Sequence, residues 1–296
     1  MEIKTLRYFL AAAREENISR AAVRLHVTQP TLSKQIKSLE AELGQKLFVR
    51  HSFSIHLTDE GILLRKRAAD LLEMADKISL EFKNIDDISG GDIYFGLAES
   101  FQLRHLARVI RAFTKDYPDF HYHVTSGGTE QVTEKLDKGI LDLAVIVETP
   151  DERKYDYLAM PEKDRWGLVF PSSDPLAVKE KIRLEDIKGL PLYISEQSLD
   201  ADLPRWCGER IQELSFQGYF SLAYNGSVFA KEGLGYLLTF DHLIDTGRES
   251  GLVFRPLDPP LENPLYLIWR KYQVFTPIAM RFLAAMREYC ETYQNK

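Results

Sequence analysis

The sequence predicts an α/β protein in three parts: an N-terminal winged helix-turn-helix, a long linker helix and a two-lobed α/β body. Three observations carry this prediction. In the first 58 residues, apolar side chains recur at helical spacing and then give way to two short β-type runs. From Leu64 to Phe82 an apolar seam repeats every three or four residues. From Asp92 onward, short apolar runs alternate with amphipathic segments and Gly/Pro punctuation, as strands and helices sharing a sheet do.

Composition bounds the function classes. A chain of 296 residues, 45% hydrophobic and 28% charged, is a globular protein with room for about two domains. It has no apolar run of the ~18 residues a membrane span needs. Met1-Glu2-Ile3-Lys4 lacks the basic-then-apolar pattern of a signal peptide, so a cytoplasmic protein without membrane contact is expected. Two cysteines, Cys207 and Cys290, cannot by themselves make a disulfide framework or a zinc site. The net charge of −6 is unevenly spread. Residues 1–58 hold nine Lys/Arg against five Asp/Glu, a net of +4, while 59–89 carry −3 and the remainder −7. A basic head on an acidic body suits a polyanion partner for the head alone.

Leu6, Phe9, Leu10 and Ala13 describe a first amphipathic helix. Asn17 and Ser19 offer caps for a second, whose small Ala21 and Ala22 let another helix cross closely. After a break at His26-Val27, Thr28 caps a third helix with Pro30 in its first turn, where the missing N–H costs nothing. Leu32, Ile36, Leu39 and Leu43 form its inner face, and Gly44 closes it. The opposite front presents Pro30, Ser33, Lys34 and Lys37, with Gln29 at its edge near the N-terminus. Amide, hydroxyl and ammonium groups of this kind suit a major groove, where Gln can pair with adenine and Lys reaches phosphate. Lys46–Val49 and Ile55–Leu57 then flank a wing, Arg50-His51-Ser52-Phe53-Ser54, whose Arg50 is placed for a backbone phosphate.

On these residues the chain resembles the DNA-binding head of LysR-type transcriptional regulators. The matches are Leu6-Arg7-Tyr8-Phe9, Ser19-Arg20-Ala21-Ala22, Leu25 through Ser33, Ile36, Leu39-Glu40, Leu43-Gly44, Leu47-Phe48, Arg50 and Leu57 through Gly61. The resemblance implies Thr28, Gln29, Pro30, Thr31, Ser33, Lys34, Lys37 and Arg50 as the DNA-binding set, with a pseudo-palindromic operator, a small-molecule effector and RNA polymerase as partners. The family often has a second wing arginine where this chain has Phe53, so phosphate contact there is weaker or falls to His51 and His56.

Thr58 caps the linker helix, with Asp59 and Glu60 in its first turn as the helix dipole favours. Leu64, Ala68, Leu71, Ala75, Ile78 and Phe82 follow at spacings of four and three, the seam of a two-stranded coiled coil. Packing on the head is the alternative use of that seam. The resemblance implies a homodimer through this helix, and a homotetramer beyond it. The polar, glycine-rich segment 86–92 reads as the hinge, giving domains of 1–58, 59–89 and 90–296.

In the body, Ile93–Leu97, Phe120–Thr125 and Leu141–Val147 read as strands, separated by helices opening near Ser100 and at Thr129. Trp166–Phe170, Leu190–Ser195, Tyr219–Ala223 and Gly235–Phe240 read as strands of a second lobe. A strand at 264–269 returns to the first lobe, and Thr276–Tyr293 is a final helix. Lobe I then comprises about 90–161 and 265–296, and lobe II about 162–264. This body resembles the family's effector domain, itself similar to periplasmic solute-binding proteins. Two helix N-termini at strand ends, with Ser100 and Thr129, suit a carboxylate or other anion. Each hydroxyl is equally a plain N-cap, and both uses stay open. Ser195 and Gln197 face them from the second lobe. Some relatives place an Arg after the third strand, where this chain has Val147 and Glu148, a departure that speaks against a dicarboxylate. With Glu99 beside Ser100, an amino-bearing or neutral ligand is as well supported as an acid. Tyr224-Asn225-Gly226-Ser227 reads either as a ligand contact or, better supported, as a cap to a helix over Val228–Gly233.

Other chemistry finds little support. His121 and His123 alternate on one strand face without a third ligand at metal-binding spacing. No phosphate loop, nucleophile elbow or zinc-protease element occurs, so no cofactor, metal site or catalytic activity is expected. Three alternatives remain: a solute-binding module of a transport system, which leaves residues 1–61 unexplained; an enzyme, which lacks catalytic groups; and, within the family, a cysteine-based redox sensor.

Overall fold

Apolar side chains three and four apart put Leu6, Phe9 and Ala12 on one buried face of helix α1 (Ile3–Glu15). Helix α2 (Ile18–Arg24) begins where Asn17 Oδ1 accepts the Arg20 N–H at 3.0 Å, and it buries Ala21 and Ala22. Helix α3 (Gln29–Leu43) starts at Thr28 and ends at Gly44, whose φ of 67° only glycine adopts freely. The computed structural model describes residues 1–51, 54–83 and 90–294, and the chain divides into two units, Met1–Ile85 and Asp86–Lys296. Ser52, Phe53 and residues 84–89 lie outside the described residues, and with them 86–89 of the expected hinge, whereas Gly90, Gly91 and Asp92 belong to a strand instead.

The inner face of α3 differs from expectation at its end. Leu43 is 40% exposed, and Glu40 is buried in its place. The Glu40 carboxylate accepts the Leu47 and Phe48 N–H groups at 3.0 and 3.4 Å and the Lys46 ammonium at 3.2 Å. The Leu47 amide is therefore unavailable to a ladder, and strand β1 is only Phe48–Arg50, paired antiparallel with β2 (Ile55–Leu57).

Helix α4 (Asp59–Lys83) runs 25 residues, ~37 Å at 1.5 Å per residue. Thr58 Oγ1 accepts the Gly61 N–H at 3.0 Å. Gly61 is required there, because a Cβ would lie 2.3 Å from the Leu47 carbonyl oxygen. The expected seam divides. Ala68 and Leu72 join the head's core and Leu64 packs on it, whereas Leu71, Ile78 and Phe82 are 46%, 45% and 71% exposed. At 100° per residue Ala68 and Leu72 fall on one flank of the stripe and Leu71 and Ile78 on the other. The head covers the first flank only. Leu64 and Ala68 are thus spent within the chain, a correction to the six-residue seam.

The second unit holds two lobes on one continuous strand system. In lobe I, β3 (Gly90–Leu97) lies between β4 (Asp119–Ser126) and β5 (Leu143–Ile146), all parallel. β11 (Glu262–Arg270) adds antiparallel to β5, and the first half of β6 (Tyr155–Pro171) adds to β11. The second half of β6 belongs to lobe II, pairing with β9 (Tyr236–Phe240) on one side and β10 (Leu252–Pro256) on the other. β7 (Pro191–Ile194) and β8 (Ser215–Tyr219) complete that side in parallel. Helices α5 (Leu103–Asp116), α6 (Thr129–Asp137) and α11 (Pro277–Gln294) cover lobe I. The short α7 (Leu184–Ile187), α8 (Glu196–Ala201) and α9 (Leu203–Cys207) and the longer α10 (Ala223–Lys231) belong to lobe II. Separate apolar cores fill the lobes, one around Phe95, Phe282 and Met286, another around Trp166, Phe170 and Leu192. No helix among the described residues is long and apolar enough to cross a membrane.

Four local expectations are corrected. The strand read as Trp166–Phe170 begins eleven residues earlier, at Tyr155, and crosses between the lobes. The charged stretch Glu162-Lys163-Asp164-Arg165 hid it, since a crossing strand has no single apolar face. The strand read as Tyr219–Ala223 ends at Tyr219, and Ala223 opens α10. Residues 224–227 lie inside that helix rather than ahead of it. The helix expected at Ser100 begins at Leu103, after a turn in which the carbonyls of Ser100, Phe101 and Gln102 accept from residues 103–105.

Candidate functional site

In the first unit, the polar front of α3 is built by its own greasy back. Leu32, Ile36 and Leu39 are fully buried. That orientation leaves Thr28, Gln29, Pro30, Thr31, Lys34 and Lys37 exposed and Ser33 half-buried on one outward surface. Thr28 Oγ1 accepts the Thr31 N–H at 3.4 Å and lies 2.8 Å from the Thr31 hydroxyl, which fixes the helix's first turn. Arg50 is exposed at the end of β1, where the wing begins. The His51 and His56 rings lie tilted against each other with centroids 5.5 Å apart. The sequence-read DNA set is therefore one exposed helix face plus one wing arginine. Glu40, missed as a site-shaping residue, ties the two together. Its signal was a carboxylate falling on the apolar stripe.

In the second unit, a cavity of about 100 Å³ opens between the lobes. Its walls include Ala98, Glu99, Gly127, Gly128 and Val147 from lobe I. Lobe II contributes Ser195, Gln197, Ser221 and an apolar floor of Trp166, Phe220, Leu237 and Phe240. Two polar clasps bridge the lobes. Gln197 Oε1 accepts the Thr129 N–H at 3.3 Å, while its Nε2 donates to Thr129 Oγ1 at 3.0 Å and to Glu148 Oε1. Glu99 Oε2 accepts the Ala223 N–H at 2.8 Å and so caps α10 from the opposite lobe.

The sequence-read effector residues divide accordingly. Glu99, Thr129, Ser195 and Gln197 come together at the cleft, with Ser195 also capping α8 through the Ser198 N–H at 3.3 Å. Ser100 does not line the cavity. It is buried, its Oγ accepts the Gln102 N–H at 2.9 Å, and it faces Asp164. The pair of hydroxyls read as one anion site is thereby separated, because the chain turns for three residues before α5 begins.

Between the lobes, β6 and β11 carry buried polar groups that sequence reading passed over. Asn263 Nδ2 donates to Asp202 Oδ1 at 2.7 Å and to the Val147 carbonyl at 3.3 Å, and Asn263 Oδ1 accepts from Trp166 Nε1 at 3.2 Å. One side chain thus ties strand ends of both lobes. Asp164, opposite Asn263 in the ladder, is 2% exposed. Ser100 and Gln102 lie close enough to favour its charge, yet neither oxygen makes a well-formed hydrogen bond, and burial pushes its pKa up to about 6. Nearby in lobe I, His105 is fully buried, with Nδ1 2.9 Å from the Tyr289 hydroxyl, and burial lowers its pKa. The available signal was charge inside strand-like runs, which has no periodicity to betray it.

Cys207 lies in α9, and Cys290 is buried in lobe I; both are free thiols. Burial raises both pKa values, that of Cys290 to about 11. A peroxide-reactive cysteine needs the reverse shift, so nothing here favours the redox reading. His123 stacks on Tyr94 at 4.3 Å and meets Asp92 Oδ1 at 2.7 Å, a surface pair with an ordinary partner. Among the described residues no group of three His, Cys, Asp or Glu is placed to hold a metal.

Comparison with known proteins matches residues 3–62 to the bacterial regulatory helix-turn-helix protein model of the lysR family, and residues 88–291 to the LysR substrate binding domain. The HTH-type transcriptional regulator XapR of Escherichia coli is 30% identical over 302 residues, covering 97% of this chain and 98% of that protein. The Hca operon transcriptional activator HcaR of the same organism is 29% identical over 300 residues, covering 97% and 98%. Full-length CbnR, solved in complex with its target DNA, superposes with a TM-score of 0.77 at 21% identity over 98% of this chain and 100% of that one, a likeness of fold.

Proposed function

The chain belongs to the LysR family of transcriptional regulators, and on that premise we propose how it works. Two copies pair, and as dimers or paired dimers they place two α3 helices in successive major grooves of a pseudo-palindromic operator in the cytoplasm. Gln29 reads a base edge, Thr28, Thr31 and Ser33 reach bases or phosphates, and Lys34, Lys37 and Arg50 hold the backbone. The observation that carries this reading is the exposed polar face of α3, set by three fully buried side chains behind it. A small-molecule effector seats between the lobes, and its binding shifts their closure and hence the geometry imposed on DNA.

The test is a mobility-shift titration of the purified protein on DNA upstream of its own gene, at two salt concentrations with excess nonspecific competitor. A discrete, competitor-resistant complex is expected, weakening with salt as phosphate contacts require. If no genomic fragment forms such a complex with folded protein, the DNA reading is wrong.

A further inference from the structure

We propose that the cleft between the lobes takes an organic cation: a protonated amine carried on a flat apolar body about the size of one ring. This rests on the effector reading of the cleft and goes beyond it by naming the chemical class.

Charge is the first observation. Glu99 is the one ionisable side chain among the described residues lining the cavity; no Lys, Arg or His lines it. Glu99 Oε2 is engaged by the Ala223 N–H, and among the described residues Oε1 has no hydrogen-bond partner. An ammonium placed there gains a charge-assisted contact without disturbing the α10 cap. The floor is the second observation. Trp166 and Phe240 pack edge to face at 4.6 Å, and with Phe220 they give an aromatic surface that attracts cations electrostatically and covers a ring. A volume of about 100 Å³, below the ~150 Å³ of an apolar cavity that holds benzene, limits the enclosed part of the ligand to one ring at most, with the rest at the cleft's open rim.

The third observation removes the competing class. The helix N-terminus beside the cleft that would suit an anion, that of α6, is already filled. Gln197 gives it a neutral oxygen, and the same amide's nitrogen satisfies Glu148. A carboxylate entering there displaces Gln197, leaves Glu148 without its donor and meets two like charges with no lining cation to offset them.

The test uses the full chain and a matched trio: benzylamine, benzyl alcohol and benzoate. Binding is followed by calorimetry and tryptophan fluorescence in the wild type, Glu99→Gln and Ser221→Trp. Glutamine at 99 can still accept the Ala223 N–H, so the fold is kept while the charge is lost. Tryptophan at the exposed position 221 fills the cleft from its rim. Benzylamine is expected to bind about tenfold tighter than benzyl alcohol, and benzoate weakest. That preference should vanish in Glu99→Gln, and all binding in Ser221→Trp. Benzoate binding tightest, an amine preference unchanged in Glu99→Gln, or no binding by any of the three overturns the cation proposal. Binding that survives Ser221→Trp lies outside the cleft and counts instead against the effector reading itself.

Discussion

Asp164 makes the second unit's stability depend on pH, and replacing it should reverse the usual cost of mutating a buried group. The carboxyl is 2% exposed, without a well-formed hydrogen bond, and its pKa rises from an ordinary 3.8 to about 6. Because the folded value lies above the unfolded one, its contribution is fully present below about pH 4 and is lost as pH rises through about 6. At 1.4 kcal/mol for each factor of ten between the two values, ionisation costs about 3 kcal/mol above pH 7. Asp164→Asn keeps the shape and cannot ionise, so it should be the more stable protein at pH 8 by up to ~3 kcal/mol and lose that advantage near pH 4. All three tryptophans, Trp166, Trp206 and Trp269, lie in the second unit, so urea unfolding followed by fluorescence reads it selectively. Subtracting the variant's pH profile from the wild type's cancels His105 and the surface carboxylates. Parallel profiles from pH 4 to 8 would refute the assignment of an unpaired buried carboxyl.

Gln29→Ala should cost about 1–3 kcal/mol on the specific operator and relax the preference at one base pair, scored by mobility shift on single-base variants. Lys34→Ala and Arg50→Ala should weaken binding evenly across sequences and lower the salt slope by about one each. Leu71→Glu or Ile78→Glu should shift the sedimentation equilibrium toward monomer while the head stays folded, because these side chains are already exposed. Ala68→Glu should unfold the head instead, since that side chain has no exposure at all. Gln197→Ala removes the acceptor of the Thr129 N–H, so hydrogen exchange at that amide should quicken by about tenfold.

Much of the head was legible because its determinants are local. The spacing of Leu32, Ile36 and Leu39 and the Thr28 cap between them set which side of α3 faces outward. Glu40 was not, since its partners are main-chain amides seven and eight residues on that no periodicity announces. The α4 seam shows the limit from another side. One stripe in the sequence served two surfaces, and only the placement of α1 against the helix decided that Ala68 is spent and Ile78 is not.

By itself, the sequence determined the helices, caps and parallel strands whose signals are periodic over a few residues, and through them the family. The tertiary structure alone decided the cleft's chemistry. Thr129 and Gln197 are 68 residues apart and Glu99 and Ala223 124, and hydrogen bonds between such positions leave no local pattern. Ser100, adjacent to Glu99, was turned away from the cavity by a three-residue turn, which neighbouring sequence does not fix. Long-range pairing decides which polar groups meet, because an exposed and a buried hydroxyl read the same until the chain closes over one of them.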